Sequence, residues 1–334
     1  PTRKEADRME RSHAVFLSLL DRPPRPIAAP ERAVLCLGNF DGVHVAHRAL
    51  IRAGVRSARA GGCPCGVFCF YRPSSDYFPA LPAPEAAYAS GTHLCSLSEK
   101  LARFAEEGVD FVWLCSFPAV RDIPAGDFPE LLRAGCGCQG VVCGFNYRYG
   151  AGGAGTAAML AAAFSRPSDV PPVVLPEMRL ADGTVSSSRI RAALRSGDPR
   201  LAAALSGRAY SLEGCVVAGR HLGHRLGFPT ANLYFPAGRL IPAHGVYAAR
   251  VYTPDGVFPG VSNVGVRPTV DGSAHPRPNC ETYVIGFSGN LYGRSIRVDF
   301  LEYLRPEQKF SDLDALRAAI ARDAERAAEL VLPE

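Results

Sequence analysis

The sequence predicts two domains: an α/β domain with a parallel sheet, followed by an antiparallel β-barrel. A chain of 334 residues is long enough for two domains. In its first half, apolar runs alternate with stretches of helical periodicity, which indicates a parallel sheet with helices on both faces. Beyond about residue 205, short apolar runs are separated by Gly, Pro and Asn turns, a pattern typical of a barrel. We therefore expect domains at 1–204 and 205–334.

The elements of both domains follow from these patterns. In the first domain we predict strands at 33–40, 65–70, 111–117 and 140–145, and helices at 44–60, 94–107 and 128–134. In the second domain the predicted strands are SLEGCVVAG, GVYAARVYT, GVFPGVSNVG, ETYVIGF and SIRVDFLEYL. A final amphipathic helix is predicted at 311–330, with Ser311 or Asp312 as its N-cap.

The composition argues against several classes of function. Charged residues make up 21% of the chain and the net charge is +5, which is too mild to indicate nucleic-acid binding. The longest apolar run, 157–164, is far shorter than the roughly 18 residues that a membrane span needs. The charged N-terminal segment predicts no signal peptide. The eleven cysteines lie in apolar contexts without metal-site spacing, so we expect buried thiols in a cytoplasmic protein.

The segment LGFPTANL (226–233) follows a glycine-rich run and predicts a phosphate and magnesium site. The glycines of this region are Gly219, Gly223 and Gly227. Such glycines let the backbone approach a ligand closely, and the N–H groups freed in their turns bind anions. Thr230 and Asn232 carry the hard oxygen atoms that Mg²⁺ prefers, and Pro229 fixes one backbone dihedral just before them.

The segment GNFDGVHVAH (38–47) follows the first predicted strand directly and opens a helix. Open α/β sheets bind ligands at the carboxyl ends of their strands, and a helix N-terminus offers N–H groups to phosphate. His44 and His47 are three residues apart and share one face of the first helical turn. They are suited to stabilise negative charge at an attacked α-phosphate. A metal-binding pair and an incidental pair are the alternatives.

Two further segments are less specific. In VSSSRIRAALRSGD (185–198), serines and arginines at a helix start are suited to bind phosphate, although a capped surface helix is favoured from these residues alone. The G-x-G-x-x-G match at 150–155 begins several residues after the preceding predicted strand, which favours a flexible turn.

Taken in order, these motifs resemble the prokaryotic bifunctional riboflavin kinase/FMN adenylyltransferase family over almost the whole chain. LGFPTANL, HGVYAARVY, GVSNVGVRPT, CETYVIGF and NLYGRSIRVDFLEYLRPEQKF carry the resemblance in the second half. The family implies a Rossmann-like nucleotidyltransferase domain and a C-terminal Greek-key β-barrel. It implies that the barrel makes FMN from riboflavin with ATP and Mg²⁺, and that the first domain converts FMN and ATP to FAD and pyrophosphate. We expect small-molecule partners alone, with no nucleic acid or membrane, and a monomer or weak homo-oligomer.

The resemblance also implies roles for matching residues. In the kinase, Glu281 would be the general base, and the C-terminal helix would close over the flavin ring. The ATP and phosphate positions would be Gly219, Gly223, Gly227, Pro229, Thr230 and Asn232, with Thr230 and Asn232 on the metal. The flavin positions would be Asn263, Arg267, Thr269 and Arg294. For adenylyl transfer, His44, His47 and Arg189 would be catalytic. The nucleotide positions would be Gly38, Asn39, Phe40, Asp41, Gly42, Asn146, Ser187, Ser188 and Arg191.

The first domain departs from the family at several motifs. Ala46 replaces the glycine of H-x-G-H, and the Pro-His-Pro expected after Phe70 is absent. The motif GFNYRYGAGGAG keeps Asn146 and Arg148 but lacks the basic residues that usually follow. We expect a bifunctional enzyme, with a riboflavin kinase that carries a degenerate first domain as the alternative. A non-catalytic flavin-binding module and another nucleotidyltransferase are disfavoured by the intact PTAN segment and the kinase-like barrel.

Overall fold

The computed structural model describes residues 17–20, 30–71, 93–180, 183–219, 223, 227–266 and 278–331. The chain divides into two compact units. The first comprises Pro1–Tyr77 and Cys95–Val185, and the second comprises Phe78–Leu94 and Ser186–Glu334. The domain boundary expected after residue 204 stays a prediction.

The first unit is built on a six-stranded parallel sheet. The strands of this unit are β1 (Leu17–Leu20), β2 (Ala33–Leu37), β3 (Cys65–Tyr71), β4 (Phe111–Ser116), β5 (Cys138–Gly144), β6 (Arg148–Tyr149), β7 (Gly155–Thr156), β8 (Val173–Leu175), β9 (Arg179–Leu180) and β10 (Gly183–Thr184). The sheet order is β1-β4-β3-β2-β5-β8, while β6 pairs with β7 and β9 with β10. The four predicted strands are confirmed as β2 to β5, although β2 ends three residues early; the edge strands β1 and β8 were not predicted.

Helices cover both faces of this sheet, because each strand alternates its side chains between two cores. The helices are α1 (Val45–Ala60), α2 (Leu97–Glu106), α3 (Phe117–Val120), α4 (Phe128–Cys136) and α5 (Ala157–Ala163). On β2, Leu35 packs in one cluster with Phe128 of α4. Its neighbour Cys36 packs in the other cluster with Ile51 of α1. The α/β prediction is therefore confirmed in both its strand direction and its layers.

In its described residues, the second unit is an antiparallel barrel with the helices α6 (Ser187–Arg195), α7 (Pro199–Ser206) and α8 (Leu313–Val331). Its strands are β11 (Tyr210–Cys215), β12 (Thr230–Tyr234), β13 (Gly245–Thr253), β14 (Gly256–Val266), β15 (Pro278–Val284) and β16 (Ser295–Arg305). The strand order is β11-β16-β13-β14-β15-β12. Just beyond β11, the N–H of Val217 donates to the carbonyl of Asn232 on β12 (3.0 Å), which brings the two ends of the sheet together. The barrel prediction is confirmed.

The last helix begins where the sequence predicts and packs on the barrel. The carboxylate of Asp312 accepts the N–H of Ala315 (2.7 Å), so Asp312 is the N-cap, while Ser311 donates to Asp312 (2.8 Å). Ala327 packs in a small buried cluster with Val246 of the barrel. No helix among the described residues is long and apolar enough to cross a membrane. Ten of the eleven cysteines are buried and none forms a disulfide, as expected from their apolar contexts.

Candidate active sites

In the first unit, the candidate site lies where the strand order reverses. The chain passes from β2 outward to β3 and β4, and then returns to the other side of β2 as β5. Such a switch point leaves a crevice at the carboxyl ends of the strands. The segment 38–47 leaves β2 at this edge, and Asn146 leaves β5 at the same edge, two residues beyond its end. The structure thus brings together two motifs that are about a hundred residues apart in the chain.

The turn after β2 has an unusual backbone. Phe40 has a φ of 52° and Val43 a φ of 42°, so two residues with side chains adopt the left-handed region, beside Gly42 at 81°. For a β-branched residue such as valine this conformation is strained, at a cost of roughly 1–3 kcal/mol. The ring of Phe40 is fully buried and lies edge-on to His47, with 5.1 Å between the ring centroids. The turn therefore holds a defined shape next to the histidines.

The two histidines form a stacked pair at the start of α1. Their ring centroids are 3.5 Å apart with 13° between the planes. His44 is the N-cap of the helix, and its Nδ1 accepts the N–H of His47 (3.3 Å). A neutral imidazole that accepts at Nδ1 carries its proton on Nε2, which makes Nε2 a hydrogen-bond donor. The pair therefore offers a donor next to a helix N-terminus, an arrangement suited to phosphate.

Both imidazoles are neutral at physiological pH. Burial lowers the pKa of His44 to about 4, against a smaller opposing effect of the Asp41 carboxylate. Burial also lowers the pKa of His47 well below its usual value, and the charges of His44 and Lys100 act in the same direction. Two imidazolium rings at this separation would repel each other, so neutrality is what permits the stack. The Nδ1 atom of His47 is buried without a hydrogen-bond partner in the described structure.

Sequence analysis missed the contribution of α2 to this site. Lys100 is 1% exposed and donates from Nζ to the carbonyl of Asn39 (3.0 Å). Arg103 donates to the carbonyl of Gly42 (2.7 Å). The only sequence signal was a pair of cations three residues apart on an amphipathic helix, which is more often a solvated face. Only the structure shows that these two cations are buried beneath the turn 38–43.

The serine–arginine segment belongs to the second unit. Ser186 caps α6 by accepting the N–H of Arg189 (3.2 Å), as predicted for the serines of this segment. Ser187 and Ser188 form the first turn of α6, and Arg191 is half-buried. Because this segment is described with the barrel, the predicted roles of these residues toward ATP stay predictions. The 150–155 segment is a short turn in which Gly150 and Gly152 have positive φ, as expected for a flexible turn.

In the barrel, strand register brings three residues with predicted kinase roles, Asn232, Glu281 and Asn263, into one row across neighbouring strands. Glu281 on β15 lies opposite Asn232 on β12 and opposite Asn263 on β14. Residues opposite one another in an antiparallel sheet share a face and have neighbouring side chains. The amide of Asn279, two residues along the same strand, donates to the carboxylate of Glu281 (3.2 Å). Three predicted site residues, from separate motifs, are thus adjacent.

Two residues of this row, Glu281 and Asn263, line a cavity of about 360 Å³ between the barrel and α8. The lining includes Thr230, Asn263, Glu281, Arg305, Leu316, Ile320 and Asp323. The carboxylate of Asp323 on α8 accepts from the guanidinium of Arg305 at the end of β16 (2.8 Å), which ties the helix over the cavity. The amide nitrogen of Asn263 donates to Glu307 (3.0 Å), while its oxygen is buried without a partner in the described structure. Buried polar groups are normally hydrogen-bonded, so an unpaired acceptor at this cavity is unusual.

The glycines fit closely against the PTAN segment. A Cβ on Gly219 would lie 2.5 Å from the amide nitrogen of Asn232, and a Cβ on Gly223 would lie 2.4 Å from the carbonyl oxygen of Phe228. Gly227 has a φ of 86°, which favours glycine. Close packing against the LGFPTANL segment is therefore the role of Gly219 and Gly223, while Gly227 supplies a positive φ.

A second cavity, of about 300 Å³, lies on the other side of Thr230. Its lining includes Val216, Pro229, Thr230, Phe287, Asn290, Leu291 and Tyr292. Thr230 lines both cavities and therefore lies between them. Arg294 is outside the linings of these two described cavities and pairs with Asp255 (Nη2 to Oδ1, 3.1 Å). Arg294 lies before β16, whereas the larger cavity meets the far end of that strand at Arg305, so the predicted flavin contact of Arg294 gains no support from its position.

Two predicted flavin residues, Arg267 and Thr269, lie outside the described residues. For the metal, the donor set fits a hard divalent cation. Thr230 and Asn232 are two residues apart on β12, so their side chains face the same side of the strand. The amide nitrogen of Asn232 donates to the Thr230 carbonyl (3.3 Å). Among the described residues there is no cluster of three His, Cys, Asp or Glu side chains. Mg²⁺ usually keeps several waters and binds substrate phosphates beside a few protein oxygen atoms, which Thr230 and Asn232 would supply here.

A phosphate-type turn at a sheet switch point and a polar row beside a glycine-rich loop together define a nucleotide-dependent transferase with two sites. The chain matches the family model for riboflavin kinase over residues 206–331 and the model for FAD synthetase over residues 27–189. A bifunctional riboflavin kinase/FMN adenylyltransferase of Pseudomonas fluorescens is 35% identical over 90% of this chain and 93% of its own length. The enzyme of the same name from Escherichia coli K12 is 36% identical over 89% and 92%.

The chain therefore belongs to the bifunctional riboflavin kinase/FMN adenylyltransferase family. The relative of that name from Bacillus subtilis is 28% identical over 89% of this chain and 92% of its own. A crystal structure described as a macrolide-efflux protein from Streptococcus pneumoniae matches with a TM-score of 0.81 at 27% identity. It covers 94% of this chain and 99% of that one. That description is of the pneumococcal protein, and here the match supports the fold.

Proposed function

We propose that the barrel phosphorylates riboflavin to FMN with ATP, and that the first unit joins FMN to the adenylyl group of ATP, giving FAD and pyrophosphate. Both family models are present, and relatives named for both activities match nearly the whole chain. The observation that carries the kinase assignment is the row of Asn232, Glu281 and Asn263 beside a cavity closed by α8.

In the kinase, we assign the larger cavity to riboflavin and the smaller one to the nucleotide. Glu281 stands in the wall of the larger cavity, where its carboxylate can accept the proton of the ribityl 5′-hydroxyl as that oxygen attacks the γ-phosphorus. ADP is the leaving group. Thr230 lies at the junction of the cavities, where the transferred phosphoryl group must pass. The unpaired oxygen of Asn263 is an acceptor for a hydroxyl or N–H group of the flavin.

The metal proposal concerns the PTAN segment. Thr230 and Asn232 would hold Mg²⁺ by their side-chain oxygens. When bound, the ion neutralises charge on the transferring phosphate. The packing of Gly219 against the Asn232 amide fixes where that amide lies, and thus where its oxygen is offered.

In the first unit, we assign the stacked histidines to the phosphates of ATP. A phosphate oxygen of FMN attacks the α-phosphorus, and pyrophosphate leaves. The N–H at Nε2 of His44 and the N-terminus of α1 are donors for the negative charge that develops there. The nucleophile is already ionised, so the neutral histidines need not remove a proton.

The test is to incubate the purified chain with riboflavin, ATP and Mg²⁺ and to separate the flavins by chromatography. We expect FMN first and FAD afterwards, with no product when the metal is chelated. FMN as the final product, even when FMN and ATP are supplied directly, would leave a riboflavin kinase with a degenerate first domain. Unchanged riboflavin would contradict the kinase assignment. We propose action on these small molecules alone, by a monomer or weak homo-oligomer in the cytoplasm.

A further inference from the structure

The turn 38–43 is held by two buried cations of α2 that no motif of the sequence includes. Lys100 donates to the carbonyl of Asn39 (3.0 Å), at one end of the left-handed backbone. Arg103 donates to the carbonyl of Gly42 (2.7 Å), at its other end. The two hydrogen bonds therefore bracket Phe40, whose ring reaches the histidines.

The same helix region supports the turn by two further contacts. The thiol of Cys95 accepts the N–H of Gly42 (3.3 Å), so both backbone atoms of that glycine are engaged from one side. The ring of Phe104 lies edge-on to Phe40, with 5.5 Å between centroids, and Phe40 in turn contacts His47. The chain of contacts from α2 through Phe40 to the histidine pair is continuous.

Two buried positive charges are unusual, because apolar side chains could fill the same space in the core. Lys100 is 1% exposed and Arg103 is 8% exposed. A buried charge is tolerated when it is hydrogen-bonded or paired, and here each cation donates to a carbonyl of the turn. Asp41, itself 4% exposed, lies within the turn and adds a negative charge nearby. Apolar residues of similar size would fill the space without fixing the carbonyls.

We propose that Lys100 and Arg103 are positioning residues for adenylyl transfer, an inference that rests on the proposed function of the first unit. By holding the carbonyls of Asn39 and Gly42, they keep the turn and the stacked histidines in the geometry that receives the nucleotide phosphates. Neither residue touches the reacting atoms. Their loss affects how ATP is held, and leaves the binding of riboflavin in the barrel unchanged.

The test uses Lys100→Met and Arg103→Met, with Arg56→Met as the matched control. Arg56 is an exposed cation on α1 in the same unit. For both test variants we expect the kcat of FAD formation from FMN to fall about 10- to 100-fold. The KM for ATP should rise while the KM for FMN stays within about twofold, since the turn serves the nucleotide. Phosphorylation of riboflavin should match the wild type in all three.

Folding is checked within the same samples. Trp113, the single tryptophan of the chain, is buried in the sheet of the first unit, so its fluorescence reports unfolding of that unit. Partial unfolding would lower the apparent kcat without changing the KM for ATP, which separates it from mispositioning. If Lys100→Met does not fold, Arg103→Met decides. A folded variant with the kcat and ATP KM of the wild type overturns the proposal.

Failure of the proposed function is a distinct result, because it appears in the wild type as FMN that is never converted to FAD. In that case the midpoint temperature of unfolding, followed by Trp113 fluorescence, still tests whether the two cations position the turn. ATP should raise this midpoint in the wild type and in Arg56→Met, by mass action on the folded unit. An equal rise in Lys100→Met and Arg103→Met would overturn the proposal without any reference to turnover.

Discussion

Replacing Gly219 by alanine tests the kinase site through a single added methyl group. The Cβ would lie 2.5 Å from the amide nitrogen of Asn232, where ordinary contacts begin at about 3.4 Å. Asn232 is 3% exposed and its backbone carbonyl accepts from Val217, so the strand is tied in place and the amide must move by about 1 Å. A displacement of about 1 Å at a group that positions the reacting phosphate costs about 100-fold in rate. We therefore expect kcat for FMN formation to fall about 100-fold, or ~3 kcal/mol.

The assay follows FMN from riboflavin and, separately, FAD from supplied FMN. Gly214→Ala is the matched control in the barrel, because a Cβ there meets only Leu233, at an ordinary 3.7 Å. FAD formation from FMN is the internal control, since it depends on the other unit. We expect Gly219→Ala to lose FMN formation alone, and Gly214→Ala to lose neither.

Two results would refute this reasoning. If Gly219→Ala makes FMN as fast as Gly214→Ala, the amide of Asn232 does not position the phosphate or its metal. If FMN and FAD formation fall together, the added methyl group acts on the whole chain and the steric argument at Asn232 is wrong. A shift in the concentration of Mg²⁺ needed for half-maximal rate would support the metal assignment, because only the ligand geometry has changed.

Three more predictions concern both sites. Glu281→Gln should lower kcat for FMN about 10²- to 10⁴-fold with little change in riboflavin affinity, and full activity would exclude a general base there. Asp323→Asn should weaken riboflavin binding about tenfold by loosening α8 from Arg305, measured by quenching of flavin fluorescence. His44 has a depressed pKa of about 4, so the unfolded chain binds more protons below pH 6.5. The stability of the first unit should therefore fall as the pH is lowered from 6.5 to 4. This loss should be smaller in His44→Asn, because asparagine can still cap the helix but does not bind a proton in this range. Thermal unfolding followed by Trp113 fluorescence measures both.

The sequence predicts those parts of a site whose residues lie close together in the chain. The turn 38–43 and the start of α1 are contiguous in the chain, and strand, turn and helix signals placed them correctly at the sheet edge, although His44 is the N-cap and not the first helical residue. Thr230 and Asn232 are also close in the chain, with only Ala231 between them, so a local motif could identify both. In contrast, the adjacency of Glu281 and Asn263 is set by barrel register, which a single strand pattern does not specify. Lys100 was out of reach for the same reason, since its partner is 61 residues away.

The two units meet the charge of phosphate by different physical means. In the barrel, we propose that side-chain oxygen atoms on β12 hold a cation that balances the charge of the nucleotide. In the first unit, the histidines are neutral, because burial lowers the pKa of both, and the charges of His44 and Lys100 lower that of His47 further. Their contribution is therefore that of oriented N–H dipoles at a helix N-terminus. Such donors keep their protons from pH 6 to 8, so the hold on phosphate in this unit should vary little with pH over that range. The positive charges that hold the turn instead come from α2, which ties the geometry of this site to a helix outside its motif.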